Sequence, residues 1–206
     1  LARYRESVCK VCRNEGKKLF LKGSRCYTAK CSVAKRPYGA GQHGQNRKKL
    51  SEFAVHLREK QKVRHSYLVS EKQFVRYFKY AMRKKGVTGT ILLQNLESRF
   101  DSVIATAGLT AGRKQSRQLI RHRHFVVNGR VVDIPSYKLK PGDEIAVKTK
   151  SSELIKNMME TMPETPDVNW LTVDKNKLKI QVNALPEREE LDPTIKEQLI
   201  VEYYSK

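Results

Sequence analysis

Apolar positions recur along this chain with two periods. Leu50, Ala54 and Leu57 fall at helical spacing, which predicts a helix over 50–66 with Arg58, Lys60, Lys62 and Arg64 on its outer face. Ser70-Glu71-Lys72-Gln73 has capping-box spacing and opens a second helix. Its stripe of Phe74, Phe78, Ala81 and Met82, with Tyr77 alongside, reads as core rather than as a base-stacking surface. Arg83-Lys84-Lys85 then fall in its last turn, where cations suit the carbonyl end, and Gly86 follows. Phe100, Val103, Ile104 and Ala107 mark a short helix ended by Gly108, and Thr110 caps another that runs to about His122. From Phe125 the period changes to that of strands. Asn128-Gly129 between Val126-Val127 and Val131-Val132 is a type I′ hairpin signal, Pro141-Gly142-Asp143 is a further turn, and Glu144 to Lys148 is a further strand.

Charge turns this pattern toward function. The 206 residues hold 42 Lys and Arg against 21 Asp and Glu, a formal charge of +21. Residues 1–150 carry 35 basic side chains against 10 acidic, whereas residues 151–206 carry 7 against 11. So lopsided a body calls for a polyanionic partner, nucleic acid first and an anionic membrane second, and its self-repulsion opposes homo-oligomers. No apolar run approaches the roughly 20 residues of a spanning helix, and the basic N-terminus lacks an apolar stretch, so neither a membrane segment nor a secretory signal is expected.

All four cysteines lie within residues 9–31, as Cys9-x2-Cys12, thirteen intervening residues, and Cys26-x4-Cys31. Two close pairs on a reversing loop with Gly16 and Gly23 predict a knuckle holding one structural zinc ion, closed to substrate by its four protein ligands. Lys10, Arg13, Lys17, Lys18, Lys22, Arg25 and Lys30 around it are expected to lower the thiol pKa values. An iron–sulfur cluster would use the same ligands, and a pair of disulfides is the other alternative. His43, in the Gly-Gln-His-Gly stretch, is near enough to compete for a ligand place but reads rather as open to solvent or phosphate.

The densest cation pattern is Arg113, Lys114, Arg117 and Arg121, one stripe within about a quarter of a helix circumference. Like charges at i, i+4 repel, and a phosphate backbone would relieve them. His122 and His124 have no accompanying nucleophile and read as hydrogen-bonding or packing residues. The run Arg117-Gln118-Leu119-Ile120-Arg121-His122-Arg123-His124-Phe125-Val126-Val127-Asn128-Gly129, continuing to Asp133-Ile134-Pro135-Ser136-Tyr137, resembles the RNA-binding module of the S-four family of small ribosomal subunit proteins. Ala2-Arg3-Tyr4, the cysteine cluster, Pro37-Tyr38 to Gln45, Leu57 to Arg64 and Glu71 to Phe74 are similar to bacterial and organellar members, so the resemblance covers nearly the whole chain. Arg99-Phe100-Asp101-Ser102 stands where the family commonly has Arg-Leu-Asp-Asn, and Ser116 where it has Ala. Many members lack the cysteines, so the zinc expectation stands on spacing alone.

Residue pattern and resemblance together predict an α+β chain: an N-terminal four-cysteine zinc segment (1–45) on the spacing, a basic, mainly helical domain (46–95), a small α+β RNA-binding module with a twisted β-sheet (96–160) that the resemblance places as an insertion, and a C-terminal hairpin and helix (161–206) that the resemblance returns to the helical domain. Trp170 to Val173 and Leu178 to Val182 fit that hairpin, and Leu191, Ile195 and Leu199 fit a closing helix over 191–202. The resemblance further implies a non-enzymatic protein of the cytoplasmic or organellar ribosome, a primary binder of small-subunit ribosomal RNA that nucleates assembly of the subunit body. Neighbouring ribosomal proteins, and messenger RNA where it enters the subunit, are the other implied contacts, with an effect on decoding accuracy. The RNA-binding candidates are Arg113, Lys114, Arg117, Arg121 and His124 in the module, and Arg3, Arg47, Lys48, Lys49, Arg58, Lys62, Arg64, Lys84 and Lys85 outside it. Against this stand two alternatives, a zinc-containing nucleic-acid-binding regulator and an RNA-modifying enzyme. The glycines between the cysteine pairs speak against a base-reading helix, and no phosphate-cradling or hydrolase motif is present.

Overall fold

The computed structural model describes residues 4, 6–46, 49–160, 162 and 168–205, so three of the expected RNA-binding residues, Arg3, Arg47 and Lys48, lie outside the described residues. The chain forms two compact units, Leu1–Leu92 with Asp192–Lys206, and Leu93–Leu191.

In the first unit, α1 (Val8–Glu15) ends at Gly16, whose φ of 67° suits a residue without a Cβ. A 3-10 turn (Gly23–Tyr27) and the short α2 (Ser32–Lys35) follow. Next come α3 (Glu52–Ser66) and α4 (Glu71–Met82), each opened by a serine, Ser51 or Ser70, whose hydroxyl accepts a backbone N–H of the first turn. α5 (Thr88–Glu97) runs across the unit boundary. The C-terminal α9 (Glu197–Ser205) packs on α3. Tyr204 lies against Phe78 with ring centroids 4.4 Å apart, and Lys60 Nζ sits 4.8 Å from the Tyr203 ring while bonding Glu71 Oε1 at 2.6 Å. Burial and the adjacent Glu71 carboxylate push the Tyr204 phenol well above its usual pKa.

In the second unit, α6 (Phe100–Thr106) and α7 (Arg113–Arg121) precede a five-stranded antiparallel sheet of order β2-β1-β3-β5-β4. Its strands are β1 (Phe125–Val127), β2 (Arg130–Val131), β3 (Glu144–Val147), β4 (Leu171–Asp174) and β5 (Lys179–Val182), with α8 (Ser152–Glu160) between β3 and β4. Asn128 and Gly129 both have positive φ, 48° and 76°, as a type I′ turn demands. Phe100, Phe125, Ile104, Ile120, Ile145 and Ile180 are fully buried in one core that also takes in Trp170 and Leu171. Architecture of this kind is α+β.

Several expectations change here. The tail hairpin does not return to the helical part: β5 pairs with β3, Ile180 opposite Ile145, so the hairpin widens the module's sheet and only α9 belongs with α3. Leu191 and Ile195 are buried but precede α9, because Asp192 and Pro193 interrupt the helix, and Ile200 is its fully buried position. Met82 is 58% exposed rather than core. Thr110 does not cap α7. Its hydroxyl is buried 2.7 Å from Ser116 Oγ, and Gly112 is the N-cap residue instead.

Candidate nucleic-acid interface

The stripe on α7 divides into two sets. Arg113 Nη2 donates to Glu97 Oε1 at 2.8 Å, and its Nε donates to Ser102 Oγ at 2.9 Å. Ser102 Oγ in turn donates to Glu97 Oε2 at 2.8 Å. Arg117 Nε donates to Asp101 Oδ2, and Arg99 grips the same carboxylate through Nε at 3.0 Å and Nη2 at 2.8 Å. Burial pulls the Arg117 guanidinium below its usual pKa, with Asp101 holding against the shift. The repulsion expected from the sequence is therefore relieved inside the protein. Glu97 and Asp101, four residues apart, meet Arg113 and Arg117, also four apart. Arg113 and Arg117 are therefore engaged inside the protein rather than standing on an open outer face: Arg113 is matched by Glu97, and Arg117 shares Asp101 with Arg99.

Lys114 and Arg121 remain exposed, with the exposed Gln118 between them at i+4, so the outward face of α7 reads Lys-Gln-Arg. The chain leaves α7 through exposed His122 and Arg123, the latter at φ 62° and paired with Asp133 at 3.1 Å. His124 is partly buried, its Nδ1 2.8 Å from Ser151 Oγ. Burial, with His122 and Lys148 nearby, lowers its pKa, so the ring stays neutral at neutral pH. It serves this edge as a hydrogen-bonding group rather than as a cation.

In the first unit the predicted cations also sort by burial. Lys49, Arg58, Lys84 and Lys85 are exposed, with Lys84 Nζ 5.5 Å from the Tyr80 ring. Lys62 is not on an outer face. It is 7% exposed, 2.5 Å from Glu59 Oε1, and donates to the Thr194 carbonyl at 2.7 Å, so its ammonium is engaged within the fold. Lys60 is likewise internal, through Glu71. Arg64 donates to Gln61 Oε1 at 2.7 Å and lies 3.4 Å from Glu71, so it is largely spent within the fold.

The cysteines are brought together, though not on knuckles. Cys9 and Cys12 lie one turn apart on α1, Cys26 lies on the 3-10 turn, and Cys31 is the N-cap of α2. All four line one cavity of ≈ 10 Å³. Burial raises the Cys12 and Cys26 thiols, contrary to the expected effect of the surrounding lysines, whereas the backbone N–H groups of Ala34 and Val33 lower Cys31. Among the described residues no three His, Cys, Asp or Glu side chains are gathered at metal-binding geometry. The donor set suits a tetrahedral thiolate site; its closed geometry is not what the structure displays.

Two family models match consecutive parts of the sequence. One described as the ribosomal protein S4/S9 N-terminal domain matches residues 3–97, and the S4 domain matches residues 98–145. The sequence is 54% identical over 208 residues to small ribosomal subunit protein uS4 of Ruminiclostridium cellulolyticum, with all of both chains covered. It is 53% identical over 208 residues to uS4 of Acetivibrio thermocellus and 49% over 209 to uS4 of Thermus thermophilus, again end to end.

This chain belongs to the small ribosomal subunit protein uS4 family.

The S4 domain match ends at residue 145, in β3, so the uS4 chain's α8 and the β4–β5 hairpin extend the module beyond it. What reading the residues alone missed in this uS4 chain is the carboxylate pair beneath α7. The signal was present as acids at 97 and 101 and arginines at 113 and 117, two equal spacings of opposite charge on consecutive helical segments.

Proposed function

We propose that this chain is a structural protein of the small ribosomal subunit that binds small-subunit ribosomal RNA early, nucleates the subunit body and contacts neighbouring ribosomal proteins. The observation that carries the reading is the exposed Lys114–Gln118–Arg121 face of α7, held in a fixed orientation by Glu97 and Asp101 within a member of a ribosomal-protein family. Lysine and arginine neutralise phosphate and supply salt-sensitive affinity, while a rigid surface selects a folded RNA by shape. A place near the channel where messenger RNA enters, and an influence on decoding accuracy, follow from the family reading. The same membership, rather than any missing motif, supports a non-catalytic role. The test is binding to small-subunit ribosomal RNA with transfer RNA in excess. Retained binding is expected, and loss of all binding to the competitor would overturn the reading.

We infer further that Cys9, Cys12, Cys26 and Cys31 hold one structural zinc ion, on the strength of four thiols lining one cavity. Zinc would bind as thiolates form, drawing α1, the 3-10 turn and α2 together. Elemental analysis of purified protein is expected to give one zinc per chain, and a strong chelator is expected to lower the melting temperature. Iron in its place, or a melting curve indifferent to the chelator, would contradict the assignment.

A further inference from the structure

Asn128-Gly129 is the one Asn-Gly pair in the 206 residues, and its chemistry goes beyond turning the hairpin. An asparagine amide is open to attack by the backbone nitrogen of the residue that follows it. Glycine shields that nitrogen least, because it has no side chain and the freest backbone. Both residues are exposed, and a Cβ added to Gly129 would meet nothing within 4 Å. Neither burial nor crowding therefore keeps solvent from the pair.

What restrains it is a clamp from the Pro141-Gly142-Asp143 turn. Asn128 Nδ2 donates to Asp143 Oδ1 at 2.8 Å, and Asn128 Oδ1 accepts the Glu144 N–H at 2.9 Å. The backbone N–H of Asn128 donates to the Glu144 carbonyl at 2.8 Å. Asp143 is fixed in turn: its Oδ2 accepts the Lys140 N–H at 2.8 Å, and its carbonyl accepts the Val182 N–H at 3.0 Å. Both ends of the amide are thus tied across to the residues that open β3, rather than free to fold back onto Gly129. Reaction requires the side chain to release both partners first.

We propose that Asn128 is a self-modification site, held shut by Asp143 and Glu144 while the module is folded and opened to deamidation when it unfolds. In the reaction, the Gly129 nitrogen gives its proton to solvent base and bonds to Asn128 Cγ. The Cγ–Nδ2 bond breaks, and the amide nitrogen leaves as ammonia with a proton from solvent. Water then opens the cyclic imide at either carbonyl, leaving aspartate or isoaspartate at position 128. Neither product rebuilds the clamp. A carboxylate has no N–H for Asp143 Oδ1, and it sets a second negative charge within hydrogen-bond distance of the first. Isoaspartate also adds a backbone atom to a turn whose two residues sit at φ 48° and 76°. A chain whose module has opened therefore keeps a permanent mark and refolds to a weaker module.

The test follows the full-length chain by mass-spectrometric peptide mapping at mildly alkaline pH, folded and in guanidinium chloride. Deamidation at Asn128 is expected to be about tenfold slower in the folded protein, as two hydrogen bonds that must first be broken would make it. Asp143→Ala, assayed where its melting curve shows it folded, is expected to lose most of that protection. Equal rates in folded and unfolded wild type, or full protection in folded Asp143→Ala, would overturn the proposal. A charge exchange reads the clamp without waiting for the reaction. Asn128→Asp is expected to lower the melting temperature, and Asn128→Asp with Asp143→Asn to recover most of the loss, since the amide then donates from the other side. A wild-type melting temperature for Asn128→Asp, or no recovery in the pair, would equally overturn it.

Discussion

Replacing Asp101 by alanine should cost the folded module about 3–5 kcal/mol, a large fraction of a small domain's stability. Asp101 is fully buried, and one carboxylate holds both Arg99 and Arg117. Its removal leaves Arg99, itself 3% exposed, as a cation without its counter-charge in the interior. The loss should appear as a lowered denaturant midpoint for the full chain. Asp101→Asn keeps the shape and one acceptor but not the charge, so its midpoint should fall between wild type and alanine. An alanine variant within about 0.5 kcal/mol of wild type would show that the network contributes nothing net.

The second large effect concerns RNA. Lys114→Glu with Arg121→Glu should lower affinity for small-subunit ribosomal RNA by about two orders of magnitude and flatten the salt dependence by roughly two phosphate contacts. Both side chains are exposed, so the melting temperature should hold. Arg117→Glu should do the reverse. It places a third carboxylate beside Asp101 and destabilises the fold before it touches the RNA. Affinity titrations at three salt concentrations, paired with thermal melts, separate the two classes. A charge-reversed Lys114/Arg121 variant that binds as wild type would remove α7 from the interface.

How much of this was legible in sequence depends on the range of the physics involved. Local signals carried through: Ser70 caps α4, Asn128-Gly129 turns the hairpin, and Phe100 to Ile104 face the core. These depend on a few neighbouring residues, and the chain states them directly. The pairing of β5 with β3 depends on residues about 35 apart, Ile180 against Ile145, and no local pattern announces it. The same holds for the cations. Lys60 and Lys62 look like an outer face on a wheel of α3, until α9 and Glu71 arrive from elsewhere and bury them. The basic stripe of α7 was visible, but which arginines point outward was decided by Glu97 and Asp101, residues on other elements. For the cysteines the spacing was legible and the helical position of the first pair was not.

The most direct test of the account is chemical footprinting of full-length small-subunit ribosomal RNA with this protein at physiological salt, with transfer RNA in excess. A pre-organised cationic surface that recognises one folded RNA predicts protection of a single compact multi-helix junction, weakened by the Lys114/Arg121 reversal. Diffuse protection that the competitor abolishes would contradict it, leaving charge alone as the source of binding.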